Sequence, residues 1–266
     1  MKILQENIVD VFDSLTGIFD DVNIIFDKDG LTINQTDRSM VVFVNVKLKP
    51  SAWEEYGLDR RECLSVSLNS LVEVLKRFKR EDRLVIDIEK SRINISNDTK
   101  TFKLPLLTNT GGENPDISKL DFKVDLEVKK DIFIEAIRDS SLFAETMTLE
   151  FDDKKLLFKS QDGNGEYMKK LFIGNSDLKT ITTGKAVSRY SIDYMSKIFK
   201  KPFGETINVK FGKDFPIKVS FKSDNKEVSY ILAPRVNEGD EDEKGNDEEQ
   251  TDRNSKEAHT THTNNS

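Results

Sequence analysis

Val22–Asp37 reads V-N-I-I-F-D-K-D-G-L-T-I-N-Q-T-D, and Met147–Asp162 reads M-T-L-E-F-D-D-K-K-L-L-F-K-S-Q-D. At an offset of 125 residues the two match Phe26 with Phe151, Leu31 with Leu156 and Asp37 with Asp162. Each spells a strand, a tight turn and a second strand. Further along, S-L-N-S-L-V-E-V-L-K-R (Ser67–Arg77) matches S-I-D-Y-M-S-K-I-F-K-K (Ser191–Lys201) at an offset of 124. Here the pattern is helical, with Asn69 and Asp193 as cap signals and two basic residues at the end. Separate blocks at a nearly constant offset imply two homologous domains of similar topology.

Around these blocks each domain reads helix, strands, helix, strands. The first helix is expected over Leu4–Phe19 in domain one and Lys130–Phe143 in domain two, with alternating strand patterns such as M-V-V-F-V-N-V-K-L (Met40–Leu48) and D-T-K-T-F-K-L-P-L (Asp98–Leu106). The Gly, Asn and Pro content of L-T-N-T-G-G-E-N-P-D-I-S-K-L (Leu107–Leu120) marks a connector. The expected division is a first domain over 1–108, a connector over 109–120, a second domain over 121–236 and a tail over 237–266. A few helices covering much longer sheets give an α+β class.

The 266 residues are 36% apolar and 33% charged, with thirteen Gly and six Pro, which fits a soluble protein of one large or two ordinary domains. No apolar run is long enough to span a membrane, and the acidic amphipathic opening M-K-I-L-Q-E-N-I-V-D-V-F-D-S-L reads as neither a signal nor a transit peptide. The formal charge of −7 belongs to the tail, whose ten acids face only Lys244, Arg253 and Lys256. The preceding 236 residues carry 38 basic and 38 acidic side chains, so their pattern rather than their sum decides the partners. The tail lacks aromatic and large aliphatic residues and cannot offset chain entropy, so disorder is expected there.

Inventory removes most catalytic chemistry. Both histidines, His259 and His262, lie in the tail as H-T-T-H, which excludes Ser-His-Asp, Cys-His and His-metal sites from the body. Cys63 alone cannot form an internal disulfide or a multi-thiolate metal site, and it suits a reducing compartment. Opening an apolar strand, it is expected to be a small core residue. No phosphate-loop motif occurs, and Gly163 and Gly165 read as a hairpin turn. The acid pairs Asp20–Asp21 and Asp152–Asp153 are candidates for a magnesium-dependent nuclease, against the ordinary reading of solvated acids at turns and helix ends.

What remains is charge. On a helical wheel, Leu71, Val74, Leu75 and Phe78 share one side, with Glu73, Lys76, Arg77 and Arg80 opposite; Met195, Ile198 and Phe199 likewise oppose Lys197, Lys200 and Lys201. Such faces are usually just solvated. Their recurrence in both repeats of an otherwise neutral body points to contact with a phosphate backbone, and the lack of interleaved aromatic residues makes that contact independent of base sequence.

The repeat, the segment D-G-L-T-I-N-Q-T-D-R-S-M-V-V-F (Asp29–Phe43), the connector leading into K-L-D-F-K-V (Lys119–Val124) and above all the ending S-Y-I-L-A-P-R-V (Ser229–Val236) resemble the archaeal and eukaryotic sliding clamps, the proliferating cell nuclear antigen (PCNA) family. The resemblance covers residues 1–236 in order. It implies a three-subunit ring with sheets outside and helices lining a hole for duplex DNA, acting as a processivity factor that tethers DNA polymerase. The clamp loader and other enzymes bearing peptide motifs are the further partners. No catalytic activity, cofactor, metal or membrane contact is implied. The compartment would be the cytoplasm, at the nucleoid, in an archaeon, or the nucleus in a eukaryote.

The family's inner-surface basic positions fall on Lys76 and Lys200, with Arg77, Arg80, Lys197 and Lys201 on the same faces and Arg138 on the first helix of domain two. Its partner-peptide groove falls on Val41, Phe43, Ile117, Leu120, Pro216, Ile231, Leu232, Ala233 and Pro234. Two departures stand out. The first strand of domain one is nearly missing, and the first helix carries Glu6, Asp10 and Asp13 with no base on its polar face. The family's subunit contact falls near Lys100–Leu107 and Glu166–Ile173, where Lys100 and Lys103 would oppose Lys169 and Lys170, so a heterotrimer stands beside a homotrimer. A checkpoint-type clamp subunit and, from another class, the acid-cluster nuclease are the alternatives.

Overall fold

The computed structural model describes residues 1–58, 60–108, 115–163, 165–182 and 184–235. The tail over 237–266, with both histidines, and 109–114 of the connector lie outside the described residues. Met1–Pro234 form one compact unit that contains both repeats. Its first half runs β1 (Lys2–Leu4), α1 (Gln5–Leu15), β2 (Asp21–Asp27), β3 (Gly30–Thr36), β4 (Val42–Leu48), β5 (Trp53–Glu55), β6 (Glu62–Ser67), α2 (Leu68–Leu75), β7 (Arg83–Ile88), β8 (Arg92–Ser96) and β9 (Thr101–Pro105). The second half repeats this order: β10 (Val124–Lys129), α3 (Lys130–Ser140), β11 (Thr146–Asp152), β12 (Lys155–Asp162), β13 (Gly165–Phe172), β14 (Leu178–Thr182), β15 (Lys185–Ser191), α4 (Ile192–Ile198), β16 (Thr206–Phe211), β17 (Ile217–Lys222) and β18 (Lys226–Leu232).

The sheets repeat as well. The first half holds β5-β1-β7-β8-β9 and β4-β3-β2-β6; the second holds β14-β10-β16-β17-β18 and β13-β12-β11-β15. Inside the chain β18 pairs antiparallel with β4, fusing one sheet of each half into nine strands. The equivalents of those two strands, β9 and β13, end their sheets unpaired among the described residues.

Alternation explains the strands: Val22, Ile24 and Phe26 of β2 and Met147, Leu149 and Phe151 of β11 turn inward and are buried. The turn between β2 and β3 requires glycine at Gly30, with φ +112° and a Cβ position only 2.1 Å from the Leu48 carbonyl oxygen. In the second repeat Asp153 takes the left-handed conformation (φ 69°), while Asp152 Oδ1 accepts the N–H groups of Lys154 and Lys155, both at 3.1 Å. Buried aromatic rings knit the second half: Phe133 meets Phe158 edge-on at 5.0 Å and stacks on Phe199 at 5.5 Å. Across the halves, Tyr230 donates to the Ser14 carbonyl at 3.0 Å.

Several expectations change. Both first helices are shorter than expected; α1 stops at Leu15 because Thr16 is extended and Gly17 takes φ +87°. Strands β6 and β15 run directly into α2 and α4, so the N-caps are Ser67 and Ser191 rather than Asn69 and Asp193. Cys63 is exposed, because Leu64 and Val66 take the inward positions of β6. Strand β1 is indeed short, with three residues against six in β10, yet it still pairs with β5 and β7.

Candidate nucleic-acid interface and partner groove

Helix α1 buries Ile8, Val9, Val11, Phe12 and Leu15 and packs against both α2 and α4. All three helices bring their C-terminal ends to one place, where the partial negative charge of unpaired carbonyls favours cations. Asp13, only 3% exposed, sits at the centre. Lys76 Nζ lies 2.9 Å and Lys200 Nζ 3.5 Å from Asp13 Oδ1, and Lys201 Nζ lies 3.8 Å from Oδ2. Lys200 also donates to the Thr16 hydroxyl at 2.6 Å. Burial pushes the Asp13 carboxyl up, but the hydrogen bond and charge of Lys76, with the charges of Lys200 and Lys201, outweigh it and hold the pKa below the usual aspartate value.

The other expected DNA contacts are placed as follows. Arg80 reaches Asp10 at 3.1 Å and Glu6 at 3.9 Å. Lys197 pairs with Asp193 at 2.8 Å and stands over the Tyr194 ring. Arg138, exposed near the end of α3, lies 3.5 Å from Asp139. Arg77 is exposed, with no carboxylate partner among the described residues, and its carbonyl accepts from Lys100. The wheel assigned Lys76, Arg77, Arg80, Lys200 and Lys201 to helix faces; they lie instead just past the ends of α2 and α4, whose last residues are Leu75 and Ile198, with Lys76 as the C-cap of α2. The acids of α1 are the partners of Lys76, Arg80, Lys200 and Lys201. Sequence reasoning missed that role for Asp13, although the wheel offered a signal: it stands only about 40° from Val9, at the margin of the buried arc.

The groove residues gather on neighbouring strands. Val42 faces Leu232 and Phe43 faces Ile231 across β4 and β18, and the Ala233 N–H donates to the Val41 carbonyl at 2.9 Å. Pro216 precedes β17, whose Ile217 pairs with Leu232. Val41, Pro216, Ala233 and Pro234 are half-buried, as are Ile117 and Leu120 at the short 3-10 turn Ile117–Lys119. Phe43 and Ile231 are buried on the opposite side of the sheet from Val42 and Leu232. Leu232 corrects the expected set: at 0% exposure, its side chain belongs to the core rather than to an open groove.

The acid pairs have structural partners. Asp152 organises its turn, and Arg38 lies 3.3 Å from Asp20 and 3.8 Å from Asp21.

Residues 2–103 match the profile described as "Proliferating cell nuclear antigen, N-terminal domain". A relative called DNA polymerase sliding clamp, from Thermofilum pendens, is 28% identical over 233 residues, spanning 85% of this chain and 94% of its own. In sequence the chain is similar to the DNA polymerase sliding clamps, and its fold is that of the PCNA structures. The crystal structure of PCNA from Thermococcus kodakaraensis superposes with a TM-score of 0.79 at 24% identity, covering 88% of this chain and 99% of that one. The A. fulgidus PCNA with the C-terminal region of FEN-1 bound gives 0.81 at 19% identity, covering 89% and 98%. The clamp fold thus extends well beyond the profile match, through the second repeat.

Proposed function

We propose that the chain is a subunit of a ring-shaped DNA sliding clamp, a non-catalytic processivity scaffold in which 1–108 and 121–236 act as two domains joined by 109–120. The observation that carries this reading is the pair of open edges. Within the chain the fifth strand of one sheet, β18, joins β4 of the other half. By the repeat, β9 of one copy is the counterpart of β18 and β13 of the next copy the counterpart of β4. Head-to-tail pairing of this kind closes into a ring when the rotation allows.

The internal joint also supplies a register. Carrying the β18–β4 pairing across through the repeat's own ladders sets Lys103 opposite Glu166 and Phe102 opposite Tyr167 of the next copy. Lys100 then faces Lys169, whose ammonium is already held by Glu135 at 2.6 Å. This supports self-pairing, and hence a homotrimer, over the like-charge conflict expected from sequence. The cluster of Lys76, Lys200 and Lys201, with Arg77, Arg80, Lys197 and Arg138, faces the duplex through weak, screened phosphate contacts. Val41, Phe43, Ile117, Leu120, Pro216, Ile231, Ala233 and Pro234 receive partner peptides by strand addition and pocket filling. The FEN-1 segment on the A. fulgidus relative supports peptide-bearing DNA enzymes as the partners.

Native mass measurement should find three copies. The ring loaded on circular DNA should stay bound at salt that abolishes equilibrium binding, and should leave when the circle is cut. Equal loss from circular and linear DNA, with companion subunits and loader supplied, rejects the clamp reading.

A further inference from the structure

We propose that Asp13 is a built-in counter-anion that gathers Lys76, Lys200 and Lys201 in the absence of DNA and competes with DNA phosphate for them. The inference rests on the reading that these lysines face the duplex. A carboxylate taken out of water persists only when it is paired, and the three ammonium groups within 3.8 Å of Asp13 provide that pairing. The lysines come from the ends of α2 and α4, one in each repeat, and are each about half exposed. Without an anion between them, three like charges would splay apart into water. With it they are pre-placed, and three cations on one anion still present an excess of positive charge to solvent. Each lysine is therefore oriented for phosphate yet partly neutralised. A phosphate must draw the ammonium from a competitor, so every contact is weaker and easier to exchange as DNA moves past. Arg80, tied to Asp10 and Glu6, follows the same plan.

The test is equilibrium binding of the full chain, with any required companion subunits, to a short linear duplex over a range of KCl. The slope of log K against log salt steepens by about 0.9 for each phosphate neutralised. Asp13→Asn should steepen the slope by about that amount and tighten binding several-fold at low salt. Lys76→Gln should make it shallower by a similar amount. The double variant D13N/K76Q should return to the wild-type slope, because the net charge of the cluster is restored. If D13N does not fold, the double variant decides, since it replaces an ion pair with two neutral amides. A purely structural Asp13 would move the melting temperature and leave the slope alone. The inference is overturned by a folded D13N whose slope is unchanged or shallower, or by a D13N/K76Q slope equal to that of K76Q. A K76E/K200E variant that binds DNA like the wild type would instead remove the inner-face reading itself.

Discussion

Helices α1 and α3 hold the same place in the two repeats, yet only their apolar sides are alike. Ile8 and Phe133 are equivalent, and both are fully buried against sheet. The charged sides differ. On α1, Glu6, Asp10 and Asp13 reach across to cations at the ends of neighbouring helices. On α3, Glu135 reaches Lys169 on the edge strand β13, and Arg138 meets its own neighbour Asp139. The apolar period builds the domain and has to repeat for the topology to repeat. The charges serve the seam between the halves in one case and the open edge in the other, so they diverge.

The apolar half of this comparison is tested by truncation, where the largest effect is expected. Phe133→Ala removes a ring that touches Phe158 and Phe199, and should cost about 3–5 kcal/mol. Ile8→Ala should cost about 2–5 kcal/mol. Both appear as a lower denaturation midpoint with an unchanged slope. A loss in only one repeat would break the equivalence.

Charge gives a smaller effect with a distinctive pH signature. Asp13→Asn should lower stability at neutral pH by about 1–3 kcal/mol, since the carboxylate is buried and its partners can return to water. The folded pKa of Asp13 is depressed, so its contribution is fully present above the unfolded aspartate pKa and is lost as pH falls through the lowered folded value. Melting curves of wild type and D13N should therefore converge on acidification. Lys169 also lowers the pKa of Glu135, but that side chain is 48% exposed, and E135Q should change stability by roughly 0–1 kcal/mol. Parallel curves for D13N and wild type, or an E135Q effect as large, would erase the distinction.

The same contrast explains what the sequence made legible. Periods of two and 3.6 survive divergence because each inward position faces the same apolar core, so the repeat at Phe26 and Phe151 was visible and the topology followed. Helix ends were less visible: Ser67 caps α2 only because β6 enters the helix without a loop, a fact of chain path rather than composition. Asp13 reads in sequence as one more acid on the polar face of the first helix, because its partners lie 63, 187 and 188 residues away at Lys76, Lys200 and Lys201. Leu232 and Phe43 show the converse limit. Alternation places them on opposite faces once the strand is known, but a family motif names both without regard to face.

The smallest expected effect per contact tests the open edge. In the proposed ring Lys103 of β9 faces Glu166 of the next copy's β13, and a cross-strand charge pair contributes about 0.2–1 kcal/mol. Lys103→Glu sets two carboxylates opposite each other, and Glu166→Lys sets two ammonium groups there. Each change weakens all three joints of a homotrimer together, so a modest local cost is magnified in assembly. Sedimentation over a dilution series should show K103E and E166K rings dissociating at higher protein concentration than wild type. The exchange K103E/E166K re-creates the pair with its polarity reversed and should restore assembly. Because these side chains stand at a wet edge, strong salt should shrink the differences among all four proteins. If the exchange assembles no better than the single variants, the internal β18–β4 joint does not serve as the template for the joint between copies.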